Sequence, residues 1–230
     1  MSRQIAAVRS DDLNAERWDL ICWDSVAKVA PYIEGILVLN RNKFLITESI
    51  NEIALFLSGD RSYDHLLTGW ANLLVHTELT DNIQYNAWER EARNFPGLET
   101  LPYNGLRSLA RTCHEGATKY GENNWLLGFQ VTGLLNHAVR HLIRYGNGDR
   151  TEDHRGHSSW GFMTSVYFLN HRPECCKLLL GPNYTLTEEI REYLTEHENR
   201  RQIEKQNRNA ESASSVASIG SCASVTVSRP

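Results

Sequence analysis

Between Leu101 and Leu169 large apolar residues return every three or four positions, and only short, glycine-bearing turns interrupt the pattern. A period near 3.6 residues gives each segment one apolar face that must be covered, which restricts this stretch to helices packed side by side. Leu106, Leu109, Ala110 and Cys113 mark a first helix, with Gly116 placed where it would stop. Val131, Leu134, Leu135, Ala138 and Leu142 mark a second, closed by Gly146-Asn147-Gly148. A third, carrying Trp160, Met163 and Tyr167, starts behind a cap at Thr151 to Asp153 and runs to about Leu169. The predicted fold class is mainly α, a compact helical bundle.

The flanks read differently. Ile36 to Leu39 and Phe44 to Ile46 surround Asn40-Arg41-Asn42-Lys43, the composition of a small N-terminal β-hairpin. Ser49 with Glu52 has the form of a capping box, followed by Ile50, Ile53, Ala54 and Leu57 at helical spacing and Gly59 as a stop. Leu66, Leu67, Trp70, Leu73 and Leu74 predict a further helix. Trp18, Trp23, Trp70 and Trp88 are assigned to the core. Pro173 and Pro182 bracket a short apolar stretch. Thr185 with Glu188 then caps a charged, solvated helix that reaches about Lys205. From Asn207 onward small serine, alanine and valine residues alternate, too little apolar bulk to offset ordering entropy, which predicts a disordered C-terminal tail. The expected organisation is an N-terminal region over 1–95, a helical domain over 96–206 and the tail over 207–230.

Several function classes are excluded on composition. The chain of 230 residues has a formal charge of −4 and no clustered lysine and arginine surface, so it is no general nucleic-acid coat. No stretch approaches the roughly 20 apolar residues of a membrane span, and the N-terminus lacks the apolar core of a signal peptide. Five cysteines, odd in number and without a CxxC pair, argue against a disulfide framework and for a reducing, cytoplasmic setting.

The residues that could carry chemistry gather in the second and third helices. His137 and His141 stand four apart, one above the other on a helix, with Arg140 and Arg144 close to the same side. A turn of a few residues then leads to Glu152-Asp153-His154-Arg155-Gly156-His157, with imidazoles three apart and carboxylates at the helix start. Imidazole and carboxylate converging from facing helices is a common way for a bundle to hold a divalent ion that activates water and screens phosphate charge. The same spacing also suits surface and capping residues of a polar helix pair. Before the second helix, Lys119 offers a point charge, Asn123 and Asn124 offer amides and Trp125 offers a flat face, which would suit a nucleotide contact, although the simpler reading is an ordinary interhelical loop pinned by a buried tryptophan.

Taken in order, Leu101-Pro102, Leu109-Ala110, Glu115-Gly116-Ala117-Thr118-Lys119-Tyr120-Gly121, Asn124-Trp125, Gly128, Arg140-His141-Leu142, Gly148-Asp149, Glu152-Asp153 and His154 to His157 resemble the N-terminal domain of the dATP/dGTP diphosphohydrolases, a family encoded largely by bacteriophages. The resemblance covers residues 97–170. Arg155-Gly156 stands where the pattern has a small apolar pair. Glu188-Glu189 is followed by Glu192 and Glu196, but no apolar Glu-x-x-Asp helix of the MazG type comes after it.

The resemblance implies a metal-dependent hydrolase of purine deoxynucleoside triphosphates, in the host cytoplasm where the gene is phage-borne. His141, Asp153, His154 and His157 are then the expected ligands of a divalent ion, with magnesium, manganese and cobalt not distinguished. Glu152 and Asp153 are the expected catalytic carboxylates. Lys119, Asn124, Trp125 and Arg140 are expected to bind the purine deoxynucleotide. A homo-oligomer is compatible with the sequence. The alternative is a non-catalytic module that binds a nucleotide or a protein and modulates a host enzyme during infection.

Overall fold

The computed structural model describes residues 16–39, 44–60, 62–81, 101–172, 174 and 187–220. These form helices α1 (Trp23–Leu39), α2 (Leu45–Ser58), α3 (Tyr63–Thr80), α4 (Tyr103–Tyr120), α5 (Val131–Gly146), α6 (His154–His171) and α7 (Glu188–Gly220). Short 3-10 turns occupy Trp18–Leu20 and Asn124–Leu127, and no strand occurs among the described residues. The fold is mainly α, and none of its described helices is long and apolar enough to cross a membrane.

The described residues up to Ile190 make one compact unit, and those from Arg191 make a second. At the centre of the first lies α6, which packs against α1, α3, α4 and α5. Small residues suit it to that place: Gly156, Ser158, Ser159, Gly161, Thr164 and Ser165 are buried along with Phe162, Met163, Val166 and Phe168. A Cβ on Gly161 would stand 3.0 Å from that of Ala138, so the glycine sets how closely α5 approaches. The fully buried Trp70 of α3 donates its indole N–H to Ser159 Oγ at 2.8 Å, satisfying both polar groups in the core.

The helices predicted from Leu66 to Leu74 and from Val131 to Leu142 are α3 and α5, with those apolar residues inside. Gly59 ends α2 at φ 115°, a left-handed conformation that favours glycine. Several boundaries differ from expectation. The N-terminal hairpin is absent: Ile36 to Leu39 continue α1, and Leu45 and Ile46 already belong to α2. A short apolar run fits strand and buried helix equally well, and here α1 is already propagating when it reaches Ile36. Residues 40–43 lie outside the described ones, as do Trp88, Pro173, Pro182 and Thr185.

Ser49 is no cap. It is buried inside α2 and gives its hydroxyl to the Gly69 carbonyl at 2.6 Å, tying α2 to α3. Gly116 lies within α4, which stops at Gly121, where φ is 92°. Of the tryptophans, Trp70 is core, Trp18 stacks on Tyr103 with ring centres 5.6 Å apart, and Trp23 is 37 % exposed. In the second unit the backbone is helical to Gly220, and residues 221–230 of the expected tail lie outside the described ones.

Candidate metal centre

Residues from α5, the 147–153 turn and the first turn of α6 meet at one place. His137 and His141 project from α5, and the turn returns the chain so quickly that His154 lands beside them. The approach of α6 to α4 is equally close: a Cβ on Gly156 would fall against Thr112 Oγ1 and 2.8 Å from the Ser108 carbonyl.

His141 Nδ1 and His154 Nδ1 are 2.9 Å apart. Glu152 Oε1 lies 3.6 Å from the former and 3.4 Å from the latter. Atoms bonded to one ion at about 2.0–2.2 Å lie roughly 3 Å from one another, so this triangle has the dimensions of one face of a coordination sphere. His141, Glu152 and His154 are the group among the described residues whose donor atoms converge closely enough to hold a metal ion. Two imidazoles and one carboxylate could hold a divalent ion.

Around the triangle lies a ring of supporting contacts. His141 Nε2 is 3.0 Å from His137 Nε2, one turn back on α5. His154, its side chain wholly buried, has Nε2 at 3.1 Å from Asp149 Oδ2, a contact bent out of line for a regular hydrogen bond. Asp149 is fixed in turn through Oδ1, which accepts from the Thr151 amide at 2.9 Å and its hydroxyl at 2.7 Å. Those bonds hold the Asp149 carboxyl below the usual range. The second carboxylate oxygen of Glu152 is 3.3 Å from His157 Nδ1, and His157 Nε2 is 3.4 Å from Glu115 Oε2 on α4.

Burial, reinforced by the neighbouring imidazoles and Arg144, pushes the His141 pKa down to about 3. His137 is also lowered, chiefly by burial and then by Arg140. Neutral rings keep the lone pairs that a metal ion needs.

A second cluster anchors the turn to α3. Arg155 makes a bidentate pair with Asp81 at 2.7 and 3.1 Å. The guanidinium of Arg150 stands 3.8 Å from the Tyr145 ring centre and that of Arg155 stands 5.1 Å from it. Arg155 therefore braces the first turn of α6 against the end of α3.

The predicted site residues divide. His141, His154 and Glu152 converge, and His157 adjoins them through Glu152. Asp153 does not join: it is the N-cap of α6, with one oxygen accepting from the Gly156 amide at 3.0 Å and the other from Ser108 Oγ at 2.7 Å. Arg140 is exposed beside His141, its Nε 3.6 Å from Glu189 Oε2. Lys119 lies one turn beyond Glu115 on α4, its ammonium 4.9 Å from the Tyr120 ring centre. Asn124 and Trp125 are elsewhere. Trp125 packs edge-on against Tyr167 and Phe168, with ring centres 4.9 and 6.1 Å away. Tyr167 is ten residues from His157 along α6, roughly 15 Å of helix. Sequence reasoning gave no supporting task to Asp149, Glu115 or Ser108. Asp149 carried a weak signal, an Asp-x-Thr turn just ahead of the histidines, and the other two carried none.

No curated protein and no solved structure matches the chain. One family model does, and it covers the α4 to α6 segment that carries every residue of the triangle: residues 86–176 match the family described as dATP/dGTP diphosphohydrolase, N-terminal.

Proposed function

We propose that this protein is a metal-dependent phosphohydrolase acting on purine deoxynucleoside triphosphates. The observation that carries the reading is the meeting of His141, Glu152 and His154 in a triangle of ligand size, inside the segment similar to the diphosphohydrolase N-terminal domain. A divalent ion held there would polarise a phosphoryl oxygen and make a bound water acidic.

The remaining work falls to the chain. Glu152 would hold the ion through Oε1, and Oε2, 3.3 Å from His157 Nδ1, would take a proton from the attacking water. Arg144, 3.8 Å from Glu152, and Arg140 stand on the same helix to neutralise phosphate, and Lys119 adds a charge from α4. Asp153 holds the first turn of α6 in register. The cytoplasm, where nucleotides are abundant, is the proposed setting.

The test is incubation of the purified chain with each deoxynucleoside triphosphate and magnesium, manganese or cobalt, with phosphate products resolved by phosphorus NMR. Purine-selective release abolished by chelation supports the hydrolase. A second reading, a non-catalytic nucleotide- or protein-binding module acting on a host enzyme, is favoured by one observation: the matched family description is that of an N-terminal domain alone. Nucleotide-dependent thermal stabilisation with no product would establish it instead.

A further inference from the structure

We propose that the centre is built for an imidazole-binding transition ion such as cobalt or zinc rather than for magnesium, and that His137 and Asp149 are positioning residues that fix its two histidine ligands. The inference rests on the metal-dependent reading above and goes further by naming the class of ion and the residues that aim the ligands.

The donor chemistry decides the class. Two of the three converging atoms are imidazole nitrogens. Magnesium binds through oxygen, demands near-ideal octahedral geometry and keeps much of its water, so a site that is two-thirds nitrogen offers it little. Imidazole suits zinc, iron, nickel and cobalt, and affinity for such a site rises from manganese towards copper.

The outer contacts decide the aiming. Both histidines converge through Nδ1. A ring that binds a metal through Nδ1 must carry its proton on Nε2, and the group facing Nε2 fixes that tautomer and the ring's orientation. For His154 that group is Asp149 Oδ2, the carboxylate oxygen 3.1 Å from a buried nitrogen that has no hydrogen-bond partner in regular geometry. For His141 it is His137 Nε2, at 3.0 Å. Asp149 is held by Thr151 through its other oxygen, so the carboxylate is aimed before any ion arrives. Four side chains from two helices and a turn are thereby arranged around two nitrogen atoms.

The test uses the full chain, stripped of metal with a chelator and titrated with cobalt(II), followed by visible absorption and calorimetry. Asp149→Asn keeps the oxygen that Thr151 needs and replaces the one facing His154 with a donor. His137→Ala removes a partly exposed ring, so it remains informative if the first variant fails to fold. His171→Ala, at a histidine paired with Asp24 at 2.9 Å, is the control. The expected result is one cobalt per chain that about a hundredfold excess of magnesium does not displace. Cobalt affinity falls about 10- to 100-fold in Asp149→Asn and in His137→Ala, and is unchanged in the control.

Displacement of cobalt by an equal concentration of magnesium overturns the choice of ion. Wild-type affinity in both variants overturns the positioning role, and absence of cobalt binding by the wild type overturns both. Binding as expected without nucleotide turnover removes the hydrolase and leaves this inference standing, while turnover with magnesium alone and no cobalt binding does the reverse.

Discussion

Asp153 accepts hydrogen bonds at both carboxylate oxygens from groups that shape the backbone, whereas Glu152 turns both of its oxygens toward histidines. Their variants should therefore fail in different ways. Asp153→Ala removes a helix cap and is expected to cost about 1 kcal/mol of stability, read from denaturant unfolding, with cobalt affinity kept. Glu152→Gln is expected to leave the unfolding midpoint in place while any metal-dependent turnover falls about a hundredfold or more. Equal loss of stability in both variants would mean that the two carboxylates share a structural task.

Two other histidines set opposite limits in pH. His76 is pushed down to about 4, chiefly by burial and then by the Arg155 charge, so its contribution is present above the unfolded value of 6.5 and lost as pH falls toward 4. His65, 2.6 Å from Glu52 Oε2 and 3.1 Å from Asp60 Oδ2, is raised, chiefly by the Glu52 hydrogen bond. Its contribution is complete below 6.5 and lost as pH rises through the higher folded value. His65→Gln should flatten the alkaline side of the stability profile, and His76→Gln the acid side, in melting temperatures measured across pH. The histidines of the centre were legible because spacings of three and four on adjoining helices put them on facing sides. Asp153 shows the limit of such reading: position suited it equally to capping and to ligation, and Ser108, which helps hold it as a cap, sits 45 residues away in sequence.

At the scale of the element, α6 shows what the apolar period conveys and what it hides. Its existence and extent follow from the cap at Asp153 and from Met163 and Tyr167. Its central place does not, because a helix enclosed by four others has no single apolar face, and small residues rather than large ones permit the enclosure. Gly156 is the sharpest case. Adding a methyl group there presses on the Ser108 carbonyl of α4, which cannot swing aside as a side-chain tip would. Gly156→Ala is expected to destabilise the protein by about 1–3 kcal/mol, as overpacking does, although alanine is the better helix former. Gly116→Ala, where an added Cβ meets nothing within 4 Å, should instead stabilise slightly, and thermal melts of the pair would separate packing from propensity. The misplaced hairpin has the same origin as the overlooked centrality of α6. Ile36 to Leu39 are apolar at every position, so the residues themselves hold no period, and the helix begun at Trp23 decides their conformation.

Over the whole molecule, the division at Ile190 separates a unit with a buried core from one led by a charged helix. Everything attributed to the metal centre, from Glu115 to His157 and the bracing pair Arg155–Asp81, lies in the first unit. Residues from Gln202 to Asn207 are almost all exposed, which fits the solvated helix predicted for that stretch. A helix whose side chains face water gains little from tertiary burial, and its order depends on local propensity, which is marginal for short segments. Deleting the chain after Asn207 is therefore expected to leave the melting transition of the first unit, its cobalt affinity and any nucleotide turnover unchanged. Circular dichroism should register only the loss of the helical residues removed. A fall of many degrees in melting temperature would show that the distal part of α7 docks and contributes burial. A fall in turnover without a change in melting would instead give that segment a part in substrate binding. The comparison is informative because the first unit draws its stability from close packing around α6, whereas a solvated helix draws its own from helix propagation, which shortens residue by residue.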